Sequence, residues 1–231
     1  GMNPSIKVLE LNTLLRSYCR ENNIIYVDYY SSMVDKNGKN IFDGGNKWSK
    51  ESLFAVGGLM KHAEALTSIT CSTVNSYNGL VPRVGGFEGG TVTWAPTNIT
   101  YGHNNRSAQF RLPQNRYCIE NRAADMTMNV YLAFSMTLSA AVEGIKNKIH
   151  PGKPTDQDLY DMTDSEFKKL GIKRLPRNLL MAIEALKKDN LSEEVIGSVM
   201  KKSLLAYKND EWERYHQAVT DWEVKEYLRL Y

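Results

Sequence analysis

The stretch NNRSAQFRLPQNRYCIENR, residues 104–122, sets four arginines, Arg106, Arg111, Arg116 and Arg122, around a single acid, Glu120. β-Propensity and the turn residues Pro113-Gln114-Asn115 predict two strands, over 107–112 and 116–121. Side chains alternate along a strand, so Arg116, Cys118, Glu120 and Arg122 share one face and Tyr117, Ile119 and Asn121 the other. Arg106 and Arg111 have opposite parity, and only one of them joins that face unless a bulge intervenes. A lone Arg–Glu pair is explained by a salt-bridged sheet surface. Four guanidiniums around one carboxylate carry more charge than Glu120 can neutralise, which points to anionic ligands such as phosphates or substrate carboxylates. Glu120 is then placed to hold a divalent cation bridging those anions.

Working outward, residues 81–102 contain Pro82, Gly85-Gly86, Gly89-Gly90, Pro96 and Gly102. So much punctuation predicts a long loop with short strands, a kind of segment that is usually functional in a compact domain. Upstream, residues 49–66 read as a helix capped by Ser49 with an apolar run through Leu53, Val56, Leu59, Met60 and Ala63. Residues 6–21 read as an amphipathic helix and 24–30 as a strand. Between them and the 49–66 helix lie Asp35-Lys36-Asn37-Gly38 and Asp43-Gly44-Gly45-Asn46, turn chemistry that predicts a boundary between about 34 and 48. Downstream the chain is helical. Residues 130–145 predict a buried helix, and Leu138, Val142, Ile145 and Ile149 form one apolar stripe. Thr163-Asp164-Ser165-Glu166 and Thr220-Asp221-Trp222-Glu223 fit the capping box that opens a helix. The fold class is α+β.

Of 231 residues, 42% are hydrophobic and 24% charged, close to an ordinary globular domain. The net charge of +3 is too small, and its lysines too interleaved with acids, to predict a nucleic-acid partner. Cys19, Cys71 and Cys118 are odd in number and widely spaced, so they read as reduced, core-packing thiols of a cytoplasmic protein. The apolar 130–145 segment is shorter than a membrane span and interrupted by Ser135, Thr137, Ser139 and Glu143, so no membrane partner is expected.

NSYNGLVPR (75–83), GGFEGG (85–90), YGHNNRSAQFRLP (101–113), YCIENR (117–122) and AYKNDEWERYHQAVTDWEVKEYL (206–228) follow one another in an order that resembles the C-terminal part of the glutamine synthetase family, particularly its γ-glutamyl amide ligase branch. The resemblance runs over about 39–231. It implies a glutamine synthetase-type catalytic domain portion over 37–231, antiparallel strands packed with a large helical C-terminal part, preceded by a helix–strand segment over 1–36. The implied chemistry is ATP-dependent joining of ammonia or a small amine to the γ-carboxylate of glutamate through γ-glutamyl phosphate, with Mg2+ or Mn2+, in a homo-oligomer. By position, the resemblance makes Glu120 a metal ligand and Arg122 a residue binding glutamate and the transferring phosphoryl group. It places Arg106 and Arg111 on the ATP phosphates, Arg116 near the nucleotide, and Glu88 as the flap glutamate that accepts the ammonium proton. Gly79 stands where the family usually has arginine, with Arg83 placed to reach in from the next turn; Asn104 replaces a frequent arginine and Val130 a common proline. Most of the family's metal-binding carboxylates and its metal histidine fall upstream of residue 39, and the chain alone is expected to be weak or inactive. The alternative is a non-catalytic oligomerisation or regulatory piece.

Residues 5–35 resemble the helix and strand before the last motif of GDSL/SGNH-type esterases. Asp43 follows, but Asn46 stands where a histidine base is needed and the serine nucleophile block is missing; since an amide cannot act as the base, a hydrolase remnant without activity is expected. His62 is expected to cap or pack, and His103 is the histidine nearest the arginine cluster.

Overall fold

A computed structural model describes residues 4–22, 34–80, 95–228 and 230. The chain divides into two compact units, Gly1–Ser52 and Leu53–Tyr231. In the first, helix α1 (Pro4–Glu21) forms as its periodicity predicts, with Leu11, Leu14 and Tyr18 exposed. Asp35 Oδ1 accepts from the amides of Asn37 (2.8 Å) and Lys39 (3.0 Å), closing an Asx turn beneath the Val34–Asn40 bridge. Asp43 does the same for Gly45 (2.8 Å) under the Asp43–Trp48 bridge. The predicted strand over 24–30 lies outside the described residues.

Helix α2 (Lys50–Lys61) starts where predicted, with the Ser49 hydroxyl accepting from the Ser52 amide at 3.0 Å. The helix predicted as continuous to residue 66 is interrupted at His62, whose dihedrals (φ −99°, ψ 8°) leave the helical range before α3 (Ala63–Thr70). Its ring is drawn sideways between two carboxylates described below. Helix α4 (Val130–Lys146) is capped by Asn129, whose side chain accepts from the Tyr131 and Leu132 amides.

Contrary to the sequence expectation, α4 is not buried all round. Tyr131 and Phe134 are exposed, and the predicted stripe of Leu138, Val142 and Ile145 is only half-buried. The buried positions are instead Ala133, Met136, Ala140 and Gly144, because α4 meets α2 backbone to backbone. A Cβ on Gly58 would lie 2.0 Å from the Ala140 carbonyl oxygen, and one on Gly144 2.1 Å from that of Phe54. Small residues, not bulky apolar ones, define that seam.

Helix α5 (Asp164–Leu170) opens with the predicted capping box, Glu166 accepting from the Thr163 amide at 2.7 Å, and closes on Gly171 at φ 67°. Helix α6 (Leu179–Lys188) packs on α3, and α7 (Asn190–Ile196) and α8 (Ser198–His216) follow it. Helix α9 (Asp221–Tyr227) opens with the second predicted box, Thr220 with Glu223. Leu66, Met136, Leu179 and Ile183 form part of the fully buried core. Among the described residues no helix is long and apolar enough to cross a membrane.

The sheet contains β1 (Asn98–His103), β2 (Ala108–Leu112), β3 (Glu120–Asn121) and β4 (Lys173–Arg174) in the order β3-β2-β1-β4. Its class is the predicted α+β, with a mixed sheet: β3 pairs antiparallel with β2 and β4 antiparallel with β1, whereas β1 and β2 pair parallel. On β2 one face, Ala108, Phe110 and Leu112, is buried, and Ala108 packs with Leu159 and Phe167. The opposite face carries Gln109 and Arg111.

Candidate functional site

Register places the charges. Arg111 lies directly opposite Glu120, and Phe110 opposite Asn121, so Gln109 and Arg111 share a face with Glu120 and, one step beyond β3, Arg122. The Arg122 amide donates to the Gln109 carbonyl at 2.8 Å, extending the ladder by one pair. Of the two arginines with opposite parity, Arg111 is therefore the one that joins Glu120.

Arg111 Nη1 donates to Glu120 Oε2 at 2.8 Å, and Arg116 Nη2 donates to Oε1 at 2.6 Å. The two bonds differ in environment: the Arg111 side chain is 17% exposed and that of Arg116 61%, so the first is the one that solvent screens least. Burial alone would raise the Glu120 pKa, but these two guanidinium hydrogen bonds outweigh it and hold the carboxyl below its usual range. Arg116 differs from the sequence expectation: β3 is limited to Glu120–Asn121, and Arg116 reaches Glu120 from irregular chain, with its Nε donating to Cys118 Sγ at 3.1 Å. Half-burial and the like charges of Arg111 and Arg106 lower the Arg122 pKa against the pull of Glu120. Three guanidiniums thus share one electrostatic neighbourhood.

Arg106 arrives by a different route. Because β1 and β2 are parallel yet joined only by residues 104–107, that connection must return beside the strands, and it does so through bends at 104, 106 and 107. Asn104 starts the reversal at φ 58°. Asn105 anchors the return, its Nδ2 donating to the Thr155 and Gln157 carbonyls (2.7 and 2.9 Å) while its Oδ1 accepts from Ser107 N and Oγ. Arg106 sits between these anchors, and its carbonyl accepts from Arg122 Nε at 3.0 Å.

The structure therefore brings together Arg106, Arg111, Arg116, Glu120 and Arg122. Arg83 and Glu88 lie outside the described residues. His103 is held by Asp156, which accepts from its amide at 2.5 Å and lies 3.3 Å from its Nδ1. Of the three cysteines, all free thiols, only Cys71 is a core residue; burial, with Asp125 nearby, pushes its thiol up to about 12.

A divalent metal is only partly accommodated. Both Glu120 oxygens are engaged by guanidiniums, and among the described residues no group of three or more histidine, cysteine or acidic side chains could hold a metal ion. Glu120 supplies at most one ligating side chain, its two oxygens already shared with Arg111 and Arg116.

Sequence reasoning missed three features. Asn104 accepts from Arg111 Nη2, completing the clamp on that guanidinium. Gln109 is fully buried on the charged face with neither amide atom paired; its even spacing from Arg111 was the available signal. His62, expected to cap or pack, is buried without a side-chain cap, and it also bridges Asp189 Oδ2 (2.5 Å from Nδ1) and Glu143, which takes Lys61 at 2.6 Å. Nothing local marked that contact.

The described residues thus hold an α+β domain with an arginine cluster around one carboxylate. Residues 25–227 match the family described as glutamine synthetase, catalytic domain, and the chain belongs to that family. It is 40% identical over 208 residues to the glutamine synthetase of Pyrococcus abyssi, covering 84% of this chain and 45% of that protein. Against the glutamate–methylamine ligase of Methyloversatilis universalis it is 41% identical over 183 residues, covering 79% and 40%. A solved structure of a GmaS/ADP complex superposes with a TM-score of 0.71 at 33% identity, covering 84% of this chain and 44% of that one. The chain spans less than half the length of these relatives. The family match begins at residue 25, upstream of the resemblance read from residue 39, and the GDSL/SGNH esterase resemblance of 5–35 finds no support in these relatives.

Proposed function

We propose that this chain provides the anion-gripping part of a glutamine synthetase-type ligase site, which joins ammonia or a small amine to the γ-carboxylate of glutamate at the expense of ATP. The observation that carries this reading is Arg111 and Arg116 converging on Glu120 while Arg106 and Arg122 share its field. Phosphoryl transfer is chiefly positioning and electrostatic stabilisation, work that fixed guanidiniums do well. In this reading Arg106, Arg111 and Arg116 take nucleotide phosphates, Arg122 takes glutamate and the transferring phosphoryl group, and Glu120 gives one ligand to Mg2+ or Mn2+. Arg83 and Glu88 contribute substrate binding and the proton acceptor.

The remaining metal ligands must come from outside the described residues, so the chain alone should bind nucleotide but turn over weakly or not at all. Calorimetric titration with MgADP tests the first part, and glutamate- and amine-dependent ADP release the second. A chain that binds no MgADP would refute the reading. A second reading, a non-catalytic assembly piece, is favoured by the exposed Tyr207, Trp222, Tyr227 and Leu228 on and beside α8 and α9. Sedimentation of the chain with and without a full-length ligase distinguishes it.

A further inference from the structure

Gln109 is the polar residue on the charged face for which the arginine chemistry has no use. It lies on β2 two residues before Arg111 and across the ladder from Arg122. Its side chain is fully buried, and neither Nε2 nor Oε1 has a hydrogen-bond partner; the buried Nε of Arg111, on the same face, also lacks one. Such orphans are rare in protein interiors, because each forfeits its hydration without recompense. An apolar residue would fit a merely structural floor better. Three open polar atoms on one face of β2, two donors and one acceptor, describe instead the complement of a ligand.

The donor–acceptor pattern limits the ligand's chemistry. Arg111 Nε and Gln109 Nε2 both need an oxygen acceptor, which an anionic carboxylate supplies. Gln109 Oε1 needs a hydrogen-bond donor, which the ionised phosphate oxygens of a nucleotide do not supply and an ammonium does. We propose that Gln109 is a specificity-determining residue of this site, its carboxamide reading the paired carboxylate and ammonium of an amino-acid substrate beside Arg111 and Arg122. This rests on the ligase reading above and deepens it. The amide is covered, so the ligand reaches it as neighbouring side chains move; Arg111 has cause to, since an incoming carboxylate competes with Glu120 for the same guanidinium.

The test compares the full chain with its Gln109→Met variant, which keeps length and removes both polar atoms. Without ligand, Gln109→Met should melt no lower than the unaltered protein, since it removes an unpaired amide. By calorimetry, the unaltered protein should bind glutamate at least about tenfold more tightly than glutarate, which lacks the ammonium; Gln109→Met should lose that preference while binding MgADP equally well. A lower melting temperature for ligand-free Gln109→Met, equal binding of glutamate and glutarate by the unaltered protein, or an undiminished preference in the variant would each overturn the inference. Binding of MgADP without glutamate overturns it and leaves the nucleotide half of the ligase reading standing. Failure of both ligands overturns both.

Discussion

Gly58→Ala isolates the backbone seam on which the helical part of the second unit depends. Neither Gly58 nor Gly144 has a positive φ, so alanine at 58 suits the backbone and by helix propensity alone would stabilise by about 1 kcal/mol. The new Cβ, however, would stand 2.0 Å from the Ala140 carbonyl oxygen and 2.7 Å from Gly144 Cα and N, all backbone atoms that no rotamer change can move. Ordinary contact begins at 3.4 Å, so α2 and α4 must part by roughly 1.4 Å along that vector. A gap of about 1 Å forfeits up to half of each contact's dispersion well along the seam. Overpacking of this kind costs about 1–3 kcal/mol and occasionally more. A 2.0 Å approach to immobile backbone sets the cost at the upper end of that range, so subtracting the propensity gain leaves a net loss of about 2 kcal/mol, which lowers the melting temperature by roughly 4–8 °C for a unit of this size. Circular dichroism at 222 nm measures it, with Gly79→Ala, where nothing lies within 4 Å, as a neutral control. The double variant Gly58→Ala/Gly144→Ala should cost less than the sum of its parts, because both substitutions force apart the same crossing. A Gly58→Ala protein as stable as the unaltered chain would refute the close crossing.

Three further outcomes follow from the charges and caps. Although burial lowers the His62 pKa, the hydrogen bonds its ring donates to Asp189 and Glu143 raise it above its ordinary 6.5, while Asp189 and Glu143 themselves are lowered from 3.8 and 4.5. The His62 contribution is full below pH 6.5 and lost as pH rises through its folded value; the carboxylate contribution is full above their ordinary values and lost as pH falls through the folded ones. Urea midpoints should thus peak between about pH 5 and 6.5, and His62→Ala should flatten the alkaline limb. Arg111→Ala should lower the urea midpoint, since it uncovers a partly buried Glu120, whereas Arg116→Ala, on an exposed side chain, should leave it unchanged. Thr163→Ala should cost about 1 kcal/mol by opening the α5 capping box, read as a shift in the same midpoint.

Features set within a few residues were legible in the sequence alone. The capping boxes at Thr163 and Thr220, the Ser49 start of α2 and the Asx turns at Asp35 and Asp43 each depend on a side chain meeting a backbone amide two or three positions away. The arginine-rich segment suggested a charge cluster around Glu120 because its residue types and parity are local facts. What the tertiary structure decided needed partners far along the chain. The register that sets Arg111 against Glu120 and Gln109 against Arg122, the parallel pairing of β1 with β2, and the Gly58–Gly144 seam depend on which elements meet. His62 leaves the helical range beside carboxylates 81 and 127 residues away, and charges so placed are invisible to any short window of sequence. Local hydrogen bonding and periodicity write the elements, while burial and long-range charge choose among the ways those elements can pack.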